Sequence, residues 1–396
     1  MELVRVERAH SDFAIAGVAA FTGFAAGSAL GVPWELQAPP SDSDVLEMSG
    51  RQPDFLAAEW GVDVQLAVCV AEVAAHARLD SRGSLDVLAT RIIAWYRSNP
   101  VQVPLEVQGV LQWTLDPSLA PSHLRAGLIA AGCGSGSPKA GAMRAAARAR
   151  HQSRRLSARV PGNELLPLMV PVALWAVSDV ESCTRAALGV TSLLSASPQV
   201  AAADVAYALL LRGTIEAAVR GRNWRECVDW DRAAADAVRT ISDARLDLFG
   251  DSWEDVDAGA VASVLSSVRP PRGAGSAGEV PGGAGASAGF AAGTGAGLDA
   301  VSALDRVLAA VDAARWELER NPSLNPVRVG VEGAVRSGGD TDTVAALVGA
   351  LLGGACGPTA IPPEWTRSIW GWPGLRQDGL RDLATGCVYS GLAQAK

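Results

Sequence analysis

"RSGGDTDTVAALVGALLGG", Arg336 to Gly354, sets two aspartates and two threonines between a pair of glycines and an uncharged run. Gly338 and Gly339 permit backbone conformations that other residues resist, so a sharp turn precedes a helix. Asp340 suits the capping position, where a carboxylate accepts helix N–H groups. Asp342 and Thr343 then fall in the first turn, so three side-chain oxygens converge. The positive end of the helix stabilises one carboxylate, but two side by side repel. The hexapeptide therefore has two readings: a doubled cap without metal, or a site for a hard divalent cation. All-oxygen donors select Mg2+, Mn2+ or Ca2+ over softer ions. The spaced ligands and closing Glu of an EF-hand loop are absent, which excludes that motif.

The helix so predicted is uncharged from Thr343 to Pro363, and a second uncharged stretch runs from Phe13 to Trp34. Both are long enough to span a bilayer. Both, however, are built from Ala and Gly rather than Leu and Ile, and both carry proline near the C-terminal end. Arg5 and Arg8 are diluted by Glu2, Glu7 and Asp12, unlike the basic start of a secretory signal. The expectation is two buried helices of a soluble core, approaching closely through small residues, with no membrane partner.

The 396 residues are 49% hydrophobic and 19% charged, a globular composition large enough for one big core or two ordinary domains. A net charge of −8 repels phosphate backbones, which argues against nucleic acid as a general partner. Six cysteines and four histidines are scattered without metal-ligand spacing, so zinc is disfavoured. The cysteines read as small buried hydrophobes in a reducing cytoplasm. Helix formers with apolar residues recurring at three or four predict helices at Val64–Ala77, Ser84–Arg97, Leu165–Val177, Val200–Arg212, Leu298–Glu319 and Asp342–Leu352. Between Arg269 and Leu298 the chain is nearly all Gly, Ala, Ser and Pro, too poor in apolar surface to offset its ordering entropy. The organisation expected is all-α: one multi-helix globular domain formed by 10–268 and 299–392, with 269–298 a flexible insertion.

Four stretches, in order, resemble the motifs of the ADP-ribosylglycohydrolase family. "GGDTDTVAALVGALLGGACGPTAIPPEW" (Gly338–Trp365) resembles its C-terminal metal motif. "GFAAGSALGVPWE" (Gly23–Glu35) resembles the opening G-x-x-x-G-D-A-x-G-x-P-x-E. "WGVDVQLAVCVAEVAA" (Trp60–Ala75) falls where the family has T-D-D-T-Q and a helix, and "GSPKAGAMRAA" (Gly136–Ala146) falls on its N-G-x-x-M-R loop. The resemblance implies an all-α fold around a central metal-binding cleft. It also implies hydrolysis of the glycosidic bond at ribose C1 of an ADP-ribosyl conjugate, with Mg2+ or Mn2+ clamping the ribose diol.

The departures narrow that expectation. The family's opening Asp is Ser28 here; of T-D-D-T only the second aspartate survives, as Asp63, beside Gly61, Val62 and Val64; the loop Asn aligns with Lys139. Carried over position by position, the metal set is Glu35, Asp63, Asp340, Asp342 and Thr343, and Val62 adds no ligand. One ion rather than two is expected. Glu35 and Asp63 are the candidate catalytic carboxylates. Ser28, Trp34, Gly136, Ser137, Lys139 and Arg144 are candidate ligand contacts: backbone N–H groups of the glycine-rich loop suit a diphosphate, and Trp34 and Trp60 suit an adenine or a pocket wall. Lys139 is alternatively a fixed ammonium in the vacated metal position. The expected partner is an ADP-ribosyl or nucleoside-type small molecule. Against the hydrolase stands a pseudoenzyme that binds ADP-ribose or a nucleotide without turnover.

Overall fold

The computed structural model describes residues 2–51, 53–154, 162–243, 258–268 and 297–394. Except for its last two residues, the expected insertion 269–298 lies outside the described residues. The described elements are helical apart from one short hairpin. In chain order the helices are α1 (Glu2–Gly31), α2 (Val62–Ala74), α3 (Arg82–Arg97), α4 (Leu105–Leu115), α5 (Ser122–Ala130) and α6 (Ala140–Arg154). There follow α7 (Met169–Trp175), α8 (Val180–Leu194), α9 (Pro198–Val219), α10 (Trp224–Cys227), α11 (Trp230–Asp243) and α12 (Ala258–Ser267). The last five are α13 (Ala300–Arg320), α14 (Pro326–Arg336), α15 (Thr341–Cys356), α16 (Pro363–Ser368) and α17 (Gln377–Gln394). The strands β1 (Trp370–Gly371) and β2 (Leu375–Arg376) pair antiparallel.

Local chemistry explains where several of these helices start. Ser81, Asp179, Ser197, Asp299 and Asn325 each accept a hydrogen bond from a backbone N–H of the helix that follows, and Pro198 and Pro326 open α9 and α14 with a fixed φ. The segment expected to be helical over Leu165–Val177 is shorter. Pro171 lies inside α7, and Pro167 lies in the 3-10 turn Leu166–Leu168 before it. Each lacks a backbone N–H, so the chain enters the α7 region as a tight turn.

The two uncharged stretches meet each other. Gly23 faces Gly349, Gly27 faces Ala345, Gly353 faces Ala19, and Gly31 lies on Thr341 and Asp342. Residue numbers rise on one helix as they fall on the other, so α1 and α15 are antiparallel. A Cβ on Gly23 or Gly349 would fall inside the facing carbonyl, and only hydrogen permits this backbone approach. One helix of the described residues, Glu7–Trp34, is long and apolar enough to cross a membrane, but 83% of its window is buried inside the protein. Its apolar surface is spent on the core. On the flank of the pair, the Tyr207 hydroxyl of α9 donates to the Leu347 carbonyl of α15 at 2.9 Å, and α17 packs on α1, α2 and α7.

Because α1 and α15 are antiparallel, the C-terminal end of one lies beside the N-terminal end of the other. Whatever follows Gly31 and precedes Thr341 is therefore brought to one place. That is the structural reason Glu35 and Asp340 come from opposite ends of the sequence to a common site.

One core carboxyl is poorly served. Asp204 of α9 is fully buried, receives the Thr191 hydroxyl at 2.6 Å on one oxygen, and has no hydrogen-bond partner for the other among the described residues. Burial pushes it up to about 8, with Glu164 adding to the rise and Thr191 opposing it.

Two outcomes follow from this packing. Gly349→Ala should lower unfolding free energy by about 3 kcal/mol, since the clash exceeds the helix-propensity gain. Gly213→Ala, with open space around its Cβ, should leave stability unchanged or raise it by up to about 1 kcal/mol; urea denaturation measures both. For Asp204, the folded state holds its proton well above the unfolded value. The stabilising protonated form is thus lost as pH rises toward 8. Melting temperatures from pH 5 to 9 should fall less steeply in Asp204→Asn than in the wild type.

Candidate functional site

The site is built on the start of α15. Gly338 and Gly339 both adopt positive φ, 72° and 73°, so the chain reverses sharply out of α14. Asp340 caps α15, its Oδ1 accepting the Thr343 N–H at 3.4 Å. The Thr341 hydroxyl donates to the Gly31 carbonyl at 2.9 Å and the Leu36 N–H to the Gly339 carbonyl at 2.8 Å, which tie the ends of the paired helices together. The Thr343 hydroxyl donates to Asp63 Oδ2 at 2.6 Å, joining the first turn of α15 to the first turn of α2. Ser28, fully buried on α1, accepts the Gly61 N–H at 3.0 Å and so seats the start of α2.

The result is a concentration of buried negative charge. Asp63, Asp340 and Asp342 are 4%, 7% and 4% exposed. Burial holds the Asp63 carboxyl well above the usual range; Asp340 and Glu35 add to the rise and the Thr343 hydroxyl opposes it. Asp342 is raised likewise, by burial first and then by Glu35, Asp63 and Asp340. Glu35 is the most accessible of the four, its side chain 22% exposed. Its carboxyl is raised by burial and by Asp340, against the pull of Arg51, whose Nη1 lies 2.6 Å from Glu35 Oε2. Asn163 reaches in from the middle of the chain: its Nδ2 donates to Asp340 Oδ2 at 2.7 Å and to the Gly297 carbonyl at 2.6 Å. Arg306 of α13 binds the carbonyls of Ser337 and Gly338 and lies within electrostatic reach of Asp340.

The structure thus brings together Glu35, Asp63, Asp340, Asp342 and Thr343. It gives the other candidates different surroundings. Ser28 is engaged in seating α2. Trp34 is half-buried at the end of the short turn before Glu35. Trp60 is fully buried against Gly371, with its backbone N–H on the Trp370 carbonyl, so it packs the core rather than offering a stacking face. Lys139 is exposed at the start of α6, where the next residue, Ala140, donates to Asp86 of α3 at 3.0 Å. Gly136 and Ser137 line a separate cleft of about 400 Å3 with Thr90, Ile93, Ala94, Arg97, Ser98 and Pro138. Arg144 is half-buried on α6, which packs on α3, α4, α5 and α8. The residues that reach the acids without having been expected are Asn163 and Arg51, with Arg306 within electrostatic reach of Asp340.

The donor set is all oxygen, which matches a hard cation in type. On the α2 side the set thins. Val62 offers no oxygen, and Gly61 is closely covered, with Asp342 Oδ2 2.9 Å from where a Cβ would stand. Among the described residues, no group of three His, Cys, Asp or Glu side chains is disposed to hold an ion as it stands. The acids instead make hydrogen bonds to Thr343, Asn163 and Arg51. The donors are thus of the type a hard cation takes, without being gathered into a ligand set.

A family profile described as ADP-ribosylglycohydrolase matches residues 12–393. The chain belongs to the ADP-ribosylglycohydrolase family. A solved structure of an ADP-ribosylglycohydrolase-related protein complex has the same fold, with a TM-score of 0.56 at 20% identity over 96% of this chain and 99% of that one. No curated protein matches. The all-α architecture and the order of motifs along the chain are those expected of an ADP-ribosylglycohydrolase, and the GGDTDT turn occupies the meeting point of its two ends.

Asn163 tests how tightly this member of the family holds its acid turn. In Asn163→Ala, Asp340 and the Gly297 carbonyl lose a buried donor, so unfolding free energy should fall by about 1–3 kcal/mol in urea. Asn163→Asp, which adds a fifth carboxyl, should cost more.

Proposed function

We propose that the protein hydrolyses the glycosidic bond at ribose C1 of an ADP-ribosyl conjugate or a related N-riboside, with one Mg2+ or Mn2+ held by Asp340, Asp342, Thr343, Asp63 and Glu35. The observation that carries this reading is the burial of three carboxylates around one helix start, with Glu35 at their exposed edge. Such an arrangement costs stability unless a cation or protons occupy it.

When bound, the cation would supply the positive charge that grips the ribose diol and stabilises charge developing on oxygen. The chain's own residues do the rest. Asp340 and Asp342 are fixed in direction by the α15 start, Asn163 and the Gly338–Gly339 turn, so they present oxygens without searching for a conformation. The Thr343 hydroxyl fixes the rotamer of Asp63. Glu35, accessible and raised above its usual range, would in its ionised form favour the oxocarbenium-like transition state and take a proton from the water that attacks C1 as the glycosidic bond breaks, the proton then passing to the departing group. Asp63, buried and holding the Thr343 hydroxyl, serves to position. The leaving group stays open, because the groups described here address the ribose and not what is attached to it.

A second reading has one specific observation in its favour. Asp63, Asp340 and Glu35 already have protein partners, and Gly61 and Val62 replace two oxygen donors of the family pattern. A protein of this kind would bind ADP-ribose and release nothing.

Calorimetric titration with ADP-ribose, in Mg2+ and then in EDTA, separates the two. The hydrolase reading expects chelator-sensitive binding and release of ADP-ribose from a modified peptide. It also expects Asp342→Asn to lower hydrolysis at least about a hundredfold, as loss of a direct metal ligand does, while raising the metal-free melting temperature because one repelling carboxylate is gone. Chelator-resistant binding without release would establish the binding protein instead. In that case Val62→Asp, which restores an oxygen donor, should produce measurable hydrolysis.

A further inference from the structure

Arg51 is not part of any motif the family resemblance supplies, yet it is the cation nearest the mouth of the acid site. It is rigidly placed. Its N–H and its carbonyl both pair with Phe55, at 2.9 Å each, closing a tight turn whose Phe55 ring is buried. Its guanidinium lies over that ring at 5.9 Å and has Asp54 at 4.0 Å on its other side. From there Nη1 reaches Glu35 Oε2 at 2.6 Å, with both side chains only about a fifth exposed. The backbone after Glu35 is pinned independently, by the Leu36 N–H on the Gly339 carbonyl, and Leu36 takes a positive φ of 56° to make that contact. Backbone and site are thus locked together while the Glu35 carboxylate points to Arg51. Glu35 nevertheless interacts with Asp340, Asp342 and Asp63 across the same space.

We propose that Arg51 is a built-in counter-cation that holds Glu35 when no divalent ion is present, so that the Arg51–Glu35 ion pair and metal ligation by Glu35 exclude each other. Arg51 is then a positioning residue. It sets the affinity of the site for a cation and keeps Glu35 at the lip until one arrives. The inference rests on the reading that Glu35 belongs to the cation's donor set. A carboxylate cannot serve a close guanidinium and a divalent ion at full strength together, and a fixed positive charge beside the site repels a second one.

The test is Mn2+ binding to the whole chain, read from the loss of the free-ion electron paramagnetic resonance signal, with thermal melts alongside. Arg51→Gln should bind Mn2+ about tenfold more tightly than the wild type, a change of about 1.4 kcal/mol. Arg51→Lys, which keeps the charge, should stay within about threefold of the wild type. The double variant Glu35→Gln with Arg51→Gln should lose most of the gain, since the gain acts through Glu35. If Arg51→Gln melts below the wild type, Arg51→Met, which keeps the stem over Phe55, repeats the measurement. Unchanged Mn2+ affinity in a folded Arg51 variant overturns the latch while the metal reading stands. Absence of Mn2+ binding in every variant and in the wild type overturns both.

Discussion

The close backbone contact between α1 and α15 is the constraint on which the rest of this molecule depends. At Gly23, Gly27, Gly349 and Gly353 a position without a side chain lies directly on the backbone of the opposite helix. The helices therefore approach to a distance that only hydrogen allows, and dispersion between backbones replaces the usual interlocking of large side chains. The antiparallel arrangement then determines function as well as stability. It puts the end of one helix beside the start of the other, and with them Glu35, Ser28 and the GGDTDT turn. Ser28 seats α2, and α2 delivers Asp63 to Thr343. Remove the seam and there is no common place for these groups.

A second constraint works against the first. Packing that tight excludes water, and the carboxylates at the seam's open end lose solvation they would have in a loop. The protein relieves the cost in several ways: a helix start facing Asp340 and Asp342, an amide from Asn163, a hydroxyl from Thr343 and guanidiniums from Arg51 and Arg306. Partial relief leaves Asp63 and Asp342 reluctant to ionise.

How much of this was legible in the sequence depends on the reach of each signal. The GGDTDT turn reads correctly because its parts are local: glycine conformation, a cap and the first helical turn all act within six residues. The two uncharged Ala- and Gly-rich stretches read as close-packed core helices because their composition states how near a neighbour can come. Asn163 does not read, because its partner Asp340 is 177 residues away and the Met143–Arg144 pair drew attention to another loop. "PGNELLP" contains the needed Asn beside a glycine, and the buried acid it serves was the missing clue. Arg51 is in an irregular segment, where no periodicity marks a side chain as fixed. Trp60 reads as a candidate ligand wall, since nothing in the sequence says that Gly371 covers its ring.

The Thr341 hydroxyl and the Gly31 carbonyl it binds are 310 residues apart. During synthesis, at about 5–20 residues per second, the first helix leaves the ribosome roughly 15–60 seconds before its partner. For that interval α2, α7 and α9 can already pack on α1, but its glycine-lined face still lacks the helix it will meet. The protein's birth therefore poses a problem that its finished form conceals. The surface which later forms its seam begins as an apolar face whose final neighbour is still unmade.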